Sequence, residues 1–164
     1  MRSIADYRGL PREARLARLD RTVEELTAAL SGQSPARLGQ RPAPSAWAPI
    51  EIVCHLRDVE ESFLDRFQQI LAMDEPRFPR TSPDRWAEER QYRRQDAAAA
   101  LAAFARRRGE SLALLRRLTP PEWERAGIQL DSRGRRTLDD FLAVMAWHDD
   151  NHRDQLDRAL AGQP

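Results

Sequence analysis

Lysine is absent from this 164-residue chain, in which all 27 basic residues are arginine. The absence excludes catalysis through a lysine Schiff base and a P-loop phosphate site, since both need a lysine amine. Cysteine occurs once, at Cys54, which excludes an internal disulfide and suits a reducing cytoplasm. No apolar run reaches the roughly 18–20 residues of a membrane span, and no signal-peptide stretch opens the chain. We therefore expect a cytoplasmic protein with no membrane partner.

Excess charge of either sign is also missing, because 27 basic residues face 26 acidic ones and the net charge is +1. Dedicated nucleic-acid binders usually carry a clear basic excess, so we expect no nucleic-acid partner. Arginines cluster at positions 106–108 and at 133, 135 and 136, where solvated faces and ion pairs with nearby acids explain most of them. The length and composition predict one globular domain over residues 1–164.

Four long segments carry apolar residues at helical spacing. They predict four helices, over about residues 11–30, 49–73 and 137–160, with the remaining one beginning between residues 84 and 96 and ending at 118. Little strand is expected, since no segment alternates with period two. Residues 74–84 are predicted as a surface loop, in which a turn of helix could occur, and residues 127–136 as a polar loop that could form a hairpin around Ser132, Arg133 and Gly134. The pattern predicts an all-α four-helix bundle with long crossover connections.

The three histidines of the chain all replace apolar residues on the inner stripes of these helices. His148 and His152 are four residues apart on the last helix, which places them on one face. His55 interrupts the stripe of the second long helix between Ile52 and Val59. Bundle interiors are where side chains from facing helices build metal sites. The pattern therefore predicts a site in which these histidines bind one divalent metal ion.

Four interpretations compete with an open metal site. The histidines could be packed core residues or a pH-sensitive polar seam, although unpaired imidazoles in a core are costly. A closed structural metal site would need a fourth ligand, and Cys54 points about 100° away from His55 around the helix, so we expect it to be a packing residue. The segment 148–152 resembles a zincin helix, but aspartate replaces the glutamate and no downstream ligand follows.

Other polar residues near the histidines are candidates for supporting roles. Glu51 and Asp58 flank His55 by four and three residues and could act as general bases or orient a histidine ring, or could be solvated carboxylates. Gln155 could line the pocket and bind a cofactor, or hydrogen-bond across the bundle. Asp149 and Asp150 are expected at the rim, paired with arginines.

An ordered set of residues resembles the DinB/YfiT-like family of small bacterial metalloproteins. Sequences of that family carry a tryptophan in a loop, a proline at a helix start, a histidine–leucine pair with following acids, and two late histidines four residues apart. Here the set is Trp47, Pro49, His55, Leu56, Asp58 and Glu60, followed by Trp123, Gly134, His148, His152 and Gln155. Each motif is weak alone, but the ordered set is fairly specific and covers about residues 16–160.

The resemblance implies a four-helix bundle with an up-down-down-up arrangement. It also implies a zinc or nickel ion held by His55, His148 and His152, and a homodimer. Some relatives are S-transferases that use bacillithiol or mycothiol, and one branch is a mycothiol-dependent isomerase.

A divalent ion on neutral histidines lowers the pKa of a bound thiol or water, which would favour thiol transfer in the first case and hydrolysis in the second. The leading hypothesis is therefore a metal-dependent enzyme for a small molecule, either an S-transferase with a low-molecular-weight thiol or a hydrolase. The alternative is a non-catalytic, stress-associated dimer in which the metal only links two helices.

Overall fold

The computed structural model of the protein describes residues 2–130 and 133–164. Its elements follow the chain as α1 (Ile4–Arg8), α2 (Arg12–Leu30), α3 (Pro35–Leu38), α4 (Pro49–Ala72), β1 (Arg77–Phe78), α5 (Pro83–Glu89), a 3-10 turn (Tyr92–Arg94), α6 (Ala97–Arg116), α7 (Pro120–Trp123), β2 (Ala126–Gln129), β3 (Gly134–Thr137) and α8 (Leu138–Leu160). The four long helices α2, α4, α6 and α8 confirm the four predicted segments.

Side chains at the helix starts satisfy backbone donors that the helices leave unpaired. Thr137 caps α8 in a capping box with Asp140, as the sequence predicts. Asp96 caps α6 by accepting a hydrogen bond from the Ala99 N–H at 2.7 Å, which sets the start of that helix at the end of the predicted range. These caps are worth about 1 kcal/mol each.

The long helices form a four-helix bundle in which α2 and α4 each pack against both α6 and α8. This arrangement places α2 and α4 at opposite corners, so the connection between them crosses one end of the bundle. The largest fully buried apolar side chains come from all four helices and include Leu19, Leu26, Ile52, Phe67, Phe104 and Phe141. The up-down-down-up direction of the helices stays a prediction.

A small three-stranded sheet packs against α4 and α8, and only part of it was predicted from the sequence. The β2–β3 hairpin lies where a hairpin was suggested, although Ser132 falls outside the described residues. The prediction that residues 74–84 form only a loop is wrong, because β1 pairs in parallel with β2 there. Gly127 allows β1 to lie this close to β2, since a Cβ atom at position 127 would overlap the Phe78 ring of β1.

One buried arginine, Arg108 of α6, contacts all three of the other long helices. Its guanidinium donates to the Leu19 carbonyl of α2 at 2.9 Å, to Glu60 of α4 at 2.8 Å and to both oxygens of Asp149 of α8 at 2.5 and 3.1 Å. The side chains of Arg108, Glu60 and Asp149 are each at most 2% exposed. Of the two explanations given for the arginines at 106–108, Arg108 follows the one that expects ion pairs with acids, whereas its burial rules out a solvated face.

The aspartates expected at the rim also differ in their surroundings. Asp149 is 1% exposed and accepts a further hydrogen bond from Thr22 at 2.5 Å, so its predicted rim position is wrong. Asp150 is half-buried and binds Arg18 and the Tyr7 hydroxyl, as its predicted pairing with arginine requires. Burial and this contact raise the pKa of Tyr7 to about 12.

Replacing Arg108 by methionine is expected to destabilise the bundle strongly. The substitution keeps much of the apolar stem but leaves two buried carboxylates without their cation, which costs about 3–5 kcal/mol. Urea unfolding at pH 7 measures the change. Arg106→Met on the exposed side of the same helix is the matched control and should change stability by less than about 0.5 kcal/mol. Equal effects of the two substitutions would contradict this assignment.

Candidate metal centre

Helices α4 and α8 bring the three histidines together at one point of the bundle interior. One side-chain nitrogen from each of His55, His148 and His152 lies within 4.8 Å of the other two. The Nε2 atoms of His55 and His148 are 3.1 Å apart. Nitrogens that share a tetrahedral zinc ion with bonds of about 2.0–2.1 Å lie about 3.4 Å apart. The spacing of this cluster is therefore close to that of a metal site.

Desolvation favours the neutral form of all three imidazoles. Desolvation, with a smaller effect of a charge on His152, lowers the pKa of His55 to about 3. Desolvation also lowers the pKa of His148 well below its usual value and lowers that of His152. A neutral imidazole has the free lone pair that a metal ligand needs.

The residues present fit a divalent ion. The Nδ1 atom of His55 is buried and has no hydrogen-bond partner among the described residues, so this ring is not explained as a satisfied core histidine. The contact between the Nε2 atoms of His55 and His148 is a hydrogen bond only if one of them carries a proton. With a cation between them, both nitrogens could instead direct a lone pair at the cation. Imidazole nitrogens are common ligands of zinc and nickel.

Gln155 and Trp47 hold the ring of His152. The Gln155 Oε1 atom lies 2.7 Å from the Nδ1 atom of His152, and a hydrogen bond there leaves Nε2 with the lone pair. The Trp47 ring stacks on that of His152 with an angle of 13° and a centroid separation of 6.4 Å. This hydrogen bond lies within α8 and not across the bundle, and the predicted role of Gln155 in cofactor binding stays a prediction.

A cavity of about 430 Å³, here called the histidine cavity, opens beside the three rings. All three histidines line it, together with apolar walls from four parts of the chain: Trp47, Val59, Phe63, Trp86, Val144 and Trp147. The cavity is large enough for a small organic molecule. The histidines therefore lie where a ligand could reach them.

Glu51 is buried rather than solvated, and a single cation, Arg41, contacts both of its oxygens. The Arg41 guanidinium donates to Oε1 and Oε2 at 2.5 and 2.7 Å. Oε2 also accepts from the Ala48 N–H at 2.9 Å, so this carboxylate caps α4 and joins it to the preceding loop.

Asp58 is also buried and lies at the centre of a second polar group. Its Oδ2 atom accepts from the Tyr92 hydroxyl and from Arg90 Nη1, both at 2.6 Å, and Arg57 Nε donates to Oδ1 at 2.7 Å. Burial alone would raise the pKa of Asp58, but these hydrogen bonds outweigh it and lower the pKa. Arg90 in turn lies over the Trp86 ring, 4.8 Å from its centroid. Asp58 therefore ties α4 to the segment that supplies one wall of the histidine cavity.

Neither carboxylate is part of the histidine cluster, and their predicted catalytic roles stay predictions. Sequence reasoning missed Trp86 and Arg90, because both lie in a short segment without a long apolar period. Cys54 is fully buried, with Sγ 3.9 Å from the Tyr92 carbonyl oxygen, as expected of a packing residue. No helix in the described ranges 2–130 and 133–164 is long and apolar enough to cross a membrane.

Comparisons with known proteins agree with this geometry. The sequence profile of the DinB superfamily matches residues 18–156. YfiT of Bacillus subtilis (strain 168), named as a candidate metal-dependent hydrolase, is 25% identical over 134 residues, which are 82% of this chain and 75% of YfiT. The solved structure of YfiT, described as an unusual four-helix bundle, matches with a TM-score of 0.84 and 22% identity over 90% of this chain and 85% of that one.

A second solved structure extends the comparison. The mycothiol-dependent maleylpyruvate isomerase matches with a TM-score of 0.71 and 15% identity, over 95% of this chain and 63% of that one. At these identities the structural matches establish the fold, which is the four-helix bundle predicted from the sequence.

Asp58→Asn is expected to lower stability at pH 7 by about 1–3 kcal/mol, because an amide accepts less well from two arginines and a tyrosine. A carboxyl whose pKa is lowered by folding stabilises the protein above its unfolded pKa of about 4, and this contribution disappears as the pH falls through the folded value. The difference from the unsubstituted protein should therefore narrow between pH 5 and pH 3 in urea titrations.

The matched control is Asp65→Asn on the exposed side of α4, where the carboxylate accepts a hydrogen bond from Gln69 of the same helix. It should have little effect at either pH. A difference for Asp58→Asn that stays constant down to pH 3 would show that its ionisation is not linked to folding.

Proposed function

The chain belongs to the DinB superfamily, and from this membership and the site geometry we propose that it is a metal-dependent enzyme for a small molecule. A divalent ion, zinc or nickel, is held by His55, His148 and His152. The enzyme acts as a hydrolase or as an S-transferase with a low-molecular-weight thiol.

The observation that carries the proposal is the convergence of three neutral imidazoles at the wall of the histidine cavity. Catalytic zinc sites characteristically have three protein ligands and a fourth position for water or substrate. No other histidine, cysteine or carboxylate of residues 2–130 and 133–164 joins the cluster. This donor set therefore favours an open site over a closed, purely structural one.

When bound, the ion supplies a full positive charge that lowers the pKa of a water or thiol next to it. The protein's own residues do the rest. Gln155 orients His152, the aromatic walls limit water, and the Asp58–Arg90 pair holds Trp86 in the wall. The ion pairs of Glu51 and Asp58 support positioning roles for both carboxylates, alongside the earlier prediction of general-base function.

The names of the relatives support both chemistries. YfiT is named for metal-dependent hydrolysis, and the isomerase for its dependence on the thiol mycothiol. Both activities need an open position on the metal and a neighbouring cavity. The homodimer implied by the family resemblance stays a prediction.

His152→Ala is expected to abolish metal binding, because two imidazoles alone hold zinc or nickel weakly. Elemental mass spectrometry of protein purified without a histidine tag should give about one metal ion per chain before the substitution and almost none after it. The metal-loaded protein should also unfold at a higher temperature, whereas the variant should gain no stability from added zinc.

A cobalt-substituted protein then separates the enzyme from the non-catalytic alternative. An open site should accept a simple thiol and develop a thiolate-to-cobalt absorption band. A protein that binds cobalt but shows no spectral change with any thiol or competing anion would have a closed site, and the metal would then only link α4 and α8. Absence of metal binding after reconstitution would leave the histidines structural.

Gln155→Leu is expected to weaken metal binding by about 10–100-fold without abolishing it, since loss of a partner that orients a ligand histidine has effects of this size. Competition with a chromophoric chelator gives the affinity. Gln163→Leu, at an exposed position just beyond α8, is the matched control and should leave it unchanged. Equal affinity of the Gln155 variant and the unsubstituted protein would show that the hydrogen bond does not orient the ligand.

A further inference from the structure

Two cavities of the protein meet at Trp47. This residue lines the histidine cavity and also a second cavity of about 660 Å³, here called the outer cavity. The outer cavity has mainly polar walls, and the described residues that line it include Arg41, Glu51, Glu88, Gln91 and Arg94. Among the described residues, Asp84 is the one other residue that lines both cavities, and its short side chain is exposed. The Trp47 indole therefore forms most of the partition between them.

The two cavities lie towards opposite ends of α4, with the histidine cluster between them. Glu51 lines the outer cavity about one helical turn before His55, whereas Phe63 lines the histidine cavity about two turns after it. The ring centroids of Trp47 and His55 are 5.0 Å apart. On the other side, the ring centroids of Phe63 and His148 are 6.4 Å apart. A group bound at the histidines therefore has the histidine cavity on one side and the Trp47 indole on the other.

Hydrogen bonds fix the loop that carries Trp47. The Ala48 N–H donates to the Glu51 carboxylate at 2.9 Å, and the Ala48 carbonyl accepts from the Glu51 N–H at 2.9 Å. Before Trp47 in the chain, Arg41 donates to the Pro44 carbonyl at 3.2 Å and to the same carboxylate. Trp47 also packs against buried apolar side chains of two core clusters. The partition is therefore held from both directions of the chain and by the core.

The position of the partition decides how much space a ligand at the histidines can use. The histidine cavity of about 430 Å³ and the outer cavity of about 660 Å³ each have the size of an ordinary ligand pocket. A side chain that is packed on several sides resists added bulk, because the bulk forces rotamer and backbone shifts. An indole held in this way acts as a fixed steric limit next to the histidine rings.

We propose that Trp47 determines the size of the ligand that the histidine site accepts. A molecule with one slender substituent on its metal-binding atom fits, with the substituent in the histidine cavity. A second bulky group near that atom meets the indole and is rejected. This inference rests on the proposed function, because the ligand must bind at the metal.

Two thiols test the inference on the cobalt-loaded protein. Phenylmethanethiol has one ring on the carbon that bears the sulfur, and diphenylmethanethiol has two. Titration of the thiolate-to-cobalt absorption gives a dissociation constant for each. We expect the unsubstituted protein to bind phenylmethanethiol more tightly by a factor of about ten or more, because the second ring overpacks the site against Trp47. The ratio of the two constants is compared among variants, so that intrinsic differences between the thiols cancel.

Trp47→Ala should improve the binding of diphenylmethanethiol by a factor of about ten or more, since its second ring then takes the space of the indole and buries apolar surface there. The binding of phenylmethanethiol should change little. Trp47→Phe keeps a smaller ring beside the histidines and should give a smaller improvement. The phenylalanine variant also provides the test if the alanine variant fails to fold or to bind cobalt, which elemental mass spectrometry establishes first.

Trp86→Ala is the matched comparison. It removes the same side chain from the histidine cavity, but among the described residues Trp86 does not line the outer cavity. The substitution enlarges a wall without opening the partition, so it should change the two dissociation constants by similar factors.

The outcomes separate the inference from the proposed function. Equal binding of the two thiols by the unsubstituted protein, or an unchanged ratio in the Trp47 variants, would overturn the inference and leave the open metal site intact. The same gain for diphenylmethanethiol in Trp86→Ala as in Trp47→Ala would assign the selectivity to cavity volume alone and overturn it as well. If neither thiol changes the cobalt spectrum of the unsubstituted protein, the proposed function itself fails, and the inference fails with it.

Discussion

A buried guanidinium, that of Arg108, sets the relation between the two helices that carry the histidines. It binds Glu60, five residues after His55 on α4, and Asp149, the neighbour of His148 on α8. Ion pairs at this depth pay a large desolvation cost and are stable only with nearly ideal geometry. These ion pairs therefore restrict the rotation and separation of α4 and α8 about one helical turn from the candidate metal site. The apolar contacts of the bundle are not the sole constraint on this geometry.

The wall of the histidine cavity depends on a different set of contacts. The segment that carries Trp86 has no long helix of its own and is joined to α4 through Asp58, which binds Arg90 and Tyr92. The small sheet contacts a further lining residue, since the Arg66 guanidinium lies over the Phe78 ring of β1. The bundle supplies the candidate ligands, whereas the connections between its helices supply part of the walls, including Trp47 and Trp86. In this fold the long connections are therefore part of the site.

Sequence patterns predicted the features that have a period and missed those that depend on pairing across the chain. The long helices and the inward histidines follow from helical spacing, because each histidine replaces an apolar residue on a stripe. Helical spacing also places Arg108 between Phe104 and Leu112 on the buried face of α6. Its burial was not predicted, because Arg108 is one of three consecutive arginines. Strand β1 has two residues and no period, and its partner β2 lies about fifty positions later, so no local pattern could reveal it.

The neutrality of the histidines and the rigidity around them have one physical origin. Burial in the bundle disfavours the charged imidazolium, which lowers the pKa of all three rings and prepares them as ligands. The same burial would leave three polar rings poorly satisfied in an ordinary core. Arg108 and the apolar core join α4 and α8 through contacts that do not involve the histidines. A site already assembled by the protein can bind an ion with fewer ligands than a site that the ion must assemble, and this is the condition under which three histidines and an open position form a useful centre.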